Sequence, residues 1–185
     1  RKPGEQITPA GYVDTKIGTA HSRWMIAPGP WMPFSMVKLS PDTQNTGWQA
    51  GYEPSLENIA GFSHIHEWTI AGLGNMPTNG PLQTRVGDEK DVDSGYRSRI
   101  DKSTEEAPIG YYKVRLSDYD IQAELTASTR CGFQRYTFPN DRVGSRVLFD
   151  LMIPSEYTYN LQEVYIRKTG SRTLEGFSHQ LCPNT

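Results

Sequence analysis

The chain has 185 residues, of which 36% are hydrophobic and 22% are charged, with a formal net charge of −2 at pH 7. This composition is neither membrane-like nor disordered, and the length suits one domain, or part of one, over residues 1–185. The near-neutral charge, without a run of Lys or Arg, argues against nucleic acid as a partner, and no apolar run is long enough for membrane insertion. Because the chain begins at Arg1 rather than at Met, we expect a mature or trimmed product.

The first hundred residues are irregular in pattern. Gly and Pro, with 17 and 13 copies in the chain, divide the sequence into short segments. In the first hundred residues, Ser35–Leu39 is predicted to be a strand. The remaining glycine-rich segments are predicted to form long loops over one end or face of the sheets, where binding residues usually lie.

From Tyr111 onward, alternating apolar and polar residues predict strands. Tyr112–Leu116 and Ile121–Thr126 each place apolar side chains on one face, and Ser117–Asp120 between them predicts a hairpin turn. Further strands are predicted at Phe133–Phe138, Val147–Leu151 and Val164–Arg167. Short strands separated by turns, without a sustained helical stripe, predict a mainly β fold: an antiparallel β-sandwich with long irregular N-terminal loops.

Two further features carry little functional information. Cys131 and Cys182 are compatible with one disulfide or with two reduced core thiols. The acidic residues between Asp88 and Asp93 lack the spacing of a helix-loop-helix calcium site, so a solvated loop is the simpler interpretation.

The most informative part of the sequence is the pair of segments Ser40–Tyr52 and Gly61–Gly74. Together they contain two histidines, a glutamate, an aspartate, two tryptophans and a tyrosine, interrupted by glycines. Flat rings stack on sugars while carboxylates and imidazoles bond sugar hydroxyls, so these segments predict a surface for a polyhydroxylated ligand.

The aromatic residues of these segments have two interpretations. Trp48, Tyr52 and Trp68 either form a stacking platform for a pyranose ring or only pack the loops onto the sandwich. Gln49 lies between two aromatic residues, which suits hydrogen bonding to sugar hydroxyls. Asp42 either makes a local turn after Pro41 or accepts hydrogen bonds from the ligand.

His64 and His66 form a His-x-His pair. On a regular strand both imidazoles face the same side, whereas Glu67 points to the other side. A zinc site would need a further ligand from a distant part of the chain, so a structural or hydrogen-bonding role competes with metal binding. A small metal hydrolase using His64, His66 and Glu67 remains a third functional hypothesis.

Six sequence blocks, in order, resemble glycoside hydrolase family 92. They are Val13–Thr19, Pro28-Gly29 with Pro33–Thr43, Gly51-Tyr52 with Gly61–His66, Gly110–Val114, Ala123–Ala127, and Arg135–Pro139. The order and approximate spacing agree from about Tyr12 to Leu151. One such block is a weak signal, but six in order are specific.

The resemblance implies the N-terminal β-sandwich of a calcium-dependent exo-α-mannosidase that inverts anomeric configuration. The catalytic acid, the catalytic base and the calcium ligands of that family belong to a C-terminal (α/α)6 domain, outside this chain. We therefore expect no catalytic residue, no bound calcium and no activity in this chain alone. The implied partners are a mannose-containing glycan, as in N-glycan processing, and the catalytic domain of the same protein. The implied location is secreted, periplasmic or cell-surface.

By this resemblance the chain contributes part of the substrate pocket. The predicted substrate-binding residues are Asp42, Trp48, Gln49, Gly51, Tyr52, His64, His66, Glu67 and Trp68. Two segments depart from the family pattern, Asp14–Lys16 and Glu67–Gly74, and the second leaves linkage and leaving-group specificity open. The alternative to an enzyme domain is a free-standing carbohydrate-binding sandwich without catalysis.

Overall fold

The computed structural model describes residues 8–20, 27–31, 34–43, 51–66, 70–71, 73–141, 143–152 and 160–181. The strands of these residues are β1 Ser40–Asp42, β2 Asn58–Ile59, β3 Gly61–Ser63, β4 Ile65–His66, β5 Ile70–Ala71, β6 Gly74–Thr78, β7 Ser98–Glu106, β8 Tyr111–Leu116, β9 Ile121–Ala127, β10 Gly132–Thr137, β11 Arg146–Asp150, β12 Asn160–Gly170 and β13 Thr173–Leu181. Two short 3-10 helices, Pro9–Tyr12 and Val92–Ser94, accompany them.

The strands form two main antiparallel sheets. One sheet has the order β1-β3-β6-β11 and the other has the order β10-β9-β8-β7-β2. Phe62 of the first sheet packs against Tyr136 of the second, with ring centroids 6.0 Å apart. The predicted mainly β antiparallel sandwich is therefore confirmed.

The core lies between these sheets and follows from the period-2 pattern of their strands. The inward residues of β8 and β9 are fully buried, and those of the four-stranded sheet meet them from the other side. The central core residues are Leu39, Ile59, Phe62, Met76, Tyr112, Val114, Leu116, Ile121, Ala123 and Leu125. Burial of these side chains, at roughly 25 cal/mol per Å² of apolar surface, is the main stabilising contribution.

The strands predicted from alternation at and after Tyr112 are present as β8 to β12. Seven strands of the described residues begin before Tyr111, but most of these are only two to five residues long. Short strands contain too few alternations for a periodic signal. β7 was also missed, because the C-terminal half of this strand consists of polar and charged residues.

The predicted strand at Ser35–Leu39 is wrong. Val37 and Leu39 are buried as the alternation requires, but the backbone of this segment does not pair with one neighbouring strand. Met36 N donates to the carbonyl of Thr129, whereas Lys38 N donates to the carbonyl of His64. The alternating pattern therefore predicted the burial of Val37 and Leu39 correctly. It did not predict a strand correctly, because the backbone N–H groups bond to two separate segments.

β12 and β13 form a long two-stranded hairpin with two register irregularities. Tyr165 and Phe177 are direct partners in it and make an edge-to-face contact, with centroids 4.7 Å apart. Both strands are largely exposed.

The cysteine alternatives are only partly resolved. Cys131 lies on the surface between β9 and β10 and its thiol is free, so it is neither a core thiol nor a disulfide partner in this structure. Cys182 lies outside the described residues.

Candidate functional site

A buried His66–Asp42 pair joins the two sequence segments that predicted a ligand surface. β1 and β3 pair antiparallel with Asp42 opposite Gly61, which brings the Ser-Pro-Asp segment beside the Gly-Phe-Ser-His segment. His66 Nε2 lies 2.8 Å from Asp42 Oδ1, and both side chains are almost completely buried. Ser63 Oγ donates to the same carboxylate oxygen at 3.0 Å.

Both ring nitrogens of His66 face oxygen acceptors. Nδ1 lies 2.8 Å from the carbonyl oxygen of Lys38, and Nε2 faces Asp42. A carbonyl only accepts, so Nδ1 carries a proton, and a hydrogen bond to Asp42 requires a second proton on Nε2 or on the carboxyl group. Neither nitrogen is left for a metal ion, so His66 acts as a clamp between the β1 region and the His-x-His segment.

Asp42 has one carboxylate oxygen that this clamp does not use. Its Oδ2 is buried and has no hydrogen-bond partner among the described residues. Asp42 also lines a cavity of about 10 Å³, together with Asn75, Tyr96 and Asp150. A volume of that size accommodates about one water molecule. Asp42 is therefore a buried polar support of the site rather than an exposed sugar contact in this conformation.

His64, in contrast, is partly exposed and differs from His66 in its partners. Its Nδ1 lies 2.5 Å from the carbonyl oxygen of Leu73, so this nitrogen carries the proton in the neutral ring. In that tautomer Nε2 can accept a hydrogen bond. The ring lies over Gly132, where a Cβ atom would fall 3.0 Å from His64 Cδ2. Gly132 therefore leaves the room that this ring position needs.

Gly51 and Tyr52 follow residues 44–50 in the chain. Hydrogen bonds of Thr43 connect the residues on the two sides of that segment. Thr43 N donates to the Gly51 carbonyl at 2.6 Å, and Glu53 N donates to Thr43 Oγ1 at 2.6 Å. Gly51 has a φ of 68°, a left-handed conformation that favours glycine. The structure thus explains Gly51 by backbone geometry.

Tyr52 is buried and its hydroxyl points at Glu105 of β7. The phenol donates to Glu105 Oε1 at 2.9 Å, and Tyr112 donates to the same oxygen at 2.8 Å. Lys16 Nζ contacts Oε2 at 2.8 Å and Lys102 Nζ contacts it at 3.4 Å. Burial, followed by the charge of Glu105, raises the pKa of Tyr52. In this arrangement Tyr52 anchors the end of a loop, and its hydroxyl is already used.

The Glu105 cluster predicts a specific loss of stability in acid. Burial alone raises the pKa of Glu105, but the hydrogen bond from Lys16, the charge of Lys102 and the hydrogen bond from Tyr112 outweigh it and lower the pKa. A lowered folded-state pKa contributes stability above the unfolded value of about 4.3, and this contribution disappears as the pH falls toward the folded value. We expect Glu105→Gln to reduce the fall in unfolding free energy between about pH 5 and pH 3.

Urea unfolding of both proteins at several pH values measures this slope. The matched control is Glu106→Gln, because the neighbouring Glu106 is exposed and pairs with Lys113 at the surface. An acid slope identical in the wild type and in Glu105→Gln would contradict the prediction.

The predictions for Trp48, Gln49, Glu67 and Trp68 lie outside the described residues. Their positions, including the expected concavity shared by Trp48, His64 and Glu67, stay predictions. Of the remaining candidates, the structure brings together Asp42 and His66, and it directs the Tyr52 hydroxyl toward a separate cluster around Glu105. His64 contacts the carbonyl of Leu73 instead.

Several functional supports were missed from the sequence. Glu105 and Lys102 lie on β7, which the sequence pattern did not predict. Arg97 gave no signal either, although its guanidinium is buried and donates to Asn58 Oδ1 at 2.8 Å. Arg97 also donates to the carbonyl of Thr43, at the base of the 44–50 segment. A buried charge depends on its partners in space, so periodicity does not reveal it.

No three His, Cys, Asp or Glu side chains of the described residues form a group that could hold a metal ion. The acidic residues near Asp88 do not form such a group either. Asp93 pairs with Arg99 at 2.9 Å, and Asp88 accepts a hydrogen bond from the backbone of Lys90. These described residues do not fit a calcium site.

The chain is similar to known proteins over most of its length. Residues 12–182 match the family described as the glycosyl hydrolase family 92 N-terminal domain. A family GH92 α-mannosidase from Bacteroides thetaiotaomicron, solved in complex with mannoimidazole, is 28% identical to this chain, with a TM-score of 0.81. The match covers 91% of this chain and 23% of that mannosidase. An inverting GH92 mannosidase from the same organism is 21% identical, with a TM-score of 0.64, and shares the fold. The match covers 80% of this chain and 20% of that mannosidase.

A curated relative from Arthroderma benhamiae, named an uncharacterized secreted glycosidase, is 28% identical over 142 residues. That match covers 72% of this chain and 18% of the relative. The chain thus spans about a quarter or less of the length of the relatives it matches.

Proposed function

The chain belongs to glycosyl hydrolase family 92 as its N-terminal domain, and from that membership we propose that it forms the substrate-pocket half of an inverting, calcium-dependent α-mannosidase hydrolysing terminal α-mannosides of glycans. The observation that carries the proposal is the family match over residues 12–182, supported by the likeness to an α-mannosidase at 28% identity. A second polypeptide region, the catalytic domain of the same protein, is the proposed partner.

In this proposal the described residues bind and position, and they transfer no proton to the substrate. His64 Nε2 accepts a hydrogen bond from a sugar hydroxyl, because Nδ1 is committed to Leu73. The His66–Asp42 pair holds the segment that carries His64. Trp48 and Trp68 are proposed to stack on sugar rings, with Gln49 and Glu67 bonding hydroxyls.

Calcium is proposed to bind elsewhere in the protein, since the described residues offer no suitable ligand group. When bound in such an enzyme, the ion supplies positive charge that orients substrate oxygens. Inverting hydrolysis also needs an acid and a base about 6.5–9.5 Å apart to admit a water molecule. We place both outside this chain.

The proposal predicts no turnover by the isolated chain. We expect the purified 185-residue chain not to hydrolyse an aryl α-mannoside, with or without added calcium, because a positioned acid–base pair carries this chemistry. The measurement is release of the aryl group, compared with the complete protein and with a chain denatured beforehand. Turnover by the folded chain above the denatured control would contradict this division of roles.

The complete protein tests the activity itself. We expect it to release mannose from an aryl α-mannoside with inversion, visible as the β-anomer in early NMR spectra, and to lose activity on treatment with a calcium chelator. A complete protein that binds mannosides but hydrolyses none would instead support the alternative, a carbohydrate-binding sandwich without catalysis.

Trp48→Ala in the complete protein is expected to lower kcat/KM about ten- to a hundredfold, because loss of ring stacking costs about 1–3 kcal/mol. The melting temperature should change little if the ring faces the substrate. Unchanged kinetics with a large fall in melting temperature would show that Trp48 only packs the loop.

We also propose a secreted, periplasmic or cell-surface location and a role in N-glycan processing. The support for location is the secreted glycosidase that the chain resembles. Within the described residues, no helix has both the length and the apolar character needed to cross a membrane.

A further inference from the structure

The outward face of the five-stranded sheet carries an aromatic trough, formed by Tyr111, Thr126 and Phe133. Thr126 of β9 is the direct cross-strand partner of Tyr111 on β8 and of Phe133 on β10. The two aromatic residues are therefore two strand spacings apart, about 10 Å, with a short side chain between them. A cavity of about 360 Å³ lies here, a size typical of small-ligand pockets.

This trough is on the solvent side of the sheet. Tyr112 and Leu125 point into the core, so their neighbours Tyr111 and Thr126 point outward. Phe133 is 58% exposed, which is high for a large aromatic side chain beside a pocket. β10 is an edge strand of its sheet, so the trough opens at the edge of the described fold.

One wall of the trough is a prearranged polar group. Arg135 Nε donates to Glu124 Oε2 at 2.7 Å, and Arg135 Nη2 and the Tyr111 hydroxyl donate to Oε1 at 2.5 and 2.6 Å. The hydrogen bonds from Arg135 and Tyr111 lower the pKa of Glu124 to about 2, so the carboxylate stays ionised at neutral pH. The negative charge of the Glu124 carboxylate and the positive charge of the Arg135 guanidinium therefore cancel.

The same wall keeps groups for a ligand. The hydrogen bonds above leave Nη1 of Arg135 without a partner on Glu124, and the side chain of Arg135 is 75% exposed. The Tyr111 oxygen, which donates its proton to Glu124, retains lone pairs that can accept. Donor, acceptor and aromatic faces thus surround one concavity of neutral net charge.

We propose that the aromatic trough is a second saccharide-binding site, which takes one neutral pyranose ring of a glycan. The apolar face of the sugar stacks on Phe133, while Arg135 Nη1 and the Tyr111 oxygen bond its hydroxyls. An anionic sugar is disfavoured, because Glu124 already neutralises Arg135. The ligand class rests on the proposed function, but the two sites share no residue.

The trough and the His64 site lie on opposite faces of the start of β10. Gly132 faces inward, where the His64 ring covers it, and the next residue, Phe133, faces outward. A response at one site is therefore separable from a response at the other.

Titration of the ¹⁵N-labelled chain with methyl α-D-mannopyranoside tests the proposal. We expect saturable shifts of the Thr126, Phe133 and Gln134 amides with a Kd on the order of 1–10 mM, as suits a single stacked ring with few hydrogen bonds. Phe133→Ala should raise that Kd at least about tenfold, because the stacking face is removed. Since Phe133 is exposed, this variant should keep the wild-type amide spectrum elsewhere.

The matched control is Thr137→Ala, on the same exposed face of β10 as Phe133 but outside the trough, and it should leave the Kd unchanged. His64→Ala should also leave the trough response unchanged. Absence of saturable shifts at these amides, or equal affinity in Phe133→Ala, would overturn the proposal. Saturable shifts at the trough amides without any shifts around His64 would count against the proposed function, and they would support a trough that binds independently.

Discussion

His66→Phe is expected to lower the free energy of unfolding by about 3–5 kcal/mol, because it breaks a buried pair and leaves one partner uncompensated. The replacement keeps an aromatic ring but removes both nitrogens. Asp42 then loses its 2.8 Å partner although its side chain is almost completely buried, and the Lys38 carbonyl loses its hydrogen bond from Nδ1. A buried polar atom without a partner costs about 1–3 kcal/mol even when uncharged.

Urea unfolding followed by fluorescence measures this effect. The matched control is Asp93→Asn, which breaks an exposed pair with Arg99 and should destabilise the fold far less, because solvent screens that pair. If His66→Phe is no more destabilising than Asp93→Asn, the buried pair does not stabilise this region. The double variant His66→Phe/Asp42→Leu should recover part of the loss, because replacing both partners removes the unpaired charge.

Gly29→Ala is expected to cost about 3 kcal/mol or more, because the new methyl group has no space. A Cβ atom at Gly29 would fall on the carbonyl oxygen of Leu39 and 2.8 Å from its carbonyl carbon. These are backbone atoms next to β1, so no side-chain rotation relieves the clash. The backbone of residues 27–31 would have to move away from β1, where Asp42 lies.

Thermal unfolding of Gly29→Ala and of a second glycine variant separates the clash from the general effect of losing a glycine. Gly170→Ala is the matched control, since a Cβ atom there would make an ordinary 3.4 Å contact with Thr173 Oγ1. We expect a small change in melting temperature for Gly170→Ala and a fall of many degrees for Gly29→Ala. Equal melting temperatures would show that the Gly29 segment adapts without cost.

His66 and Gly29 both lie in the sequence blocks that indicated a substrate pocket, but the structure gives each residue a role in the fold. Pro28-Gly29 and the Ser-His-Ile-His run belong to the blocks that resemble family 92, and the resemblance implied a pocket. In the structure, Gly29 permits close packing on Leu39 and His66 clamps β4 to the β1 region. Part of the motif thus stabilises the fold, and His64 is the imidazole that we propose contacts the sugar.

The sequence by itself determined the fold class, the strands β8 to β12 and the family. Alternation between neighbouring side chains is a local property, so the buried faces of β8 and β9 follow directly from the residues at i and i+2. The ordered blocks likewise need no geometry to be recognised. For this reason these predictions agree with the structure, whereas Ser35–Leu39 failed once backbone pairing mattered.

Only the tertiary structure decided which candidate residues meet and what each one does. Asp42 and His66 are 24 residues apart, and Tyr52 and Glu105 are 53 apart, so no local pattern links either pair. Strand pairing between β1 and β3 creates the first contact, and packing of the Tyr52 loop against β7 creates the second. Whether a polar side chain contacts a ligand or supports the fold depends on its burial and partners, and both arise only when distant segments pack together.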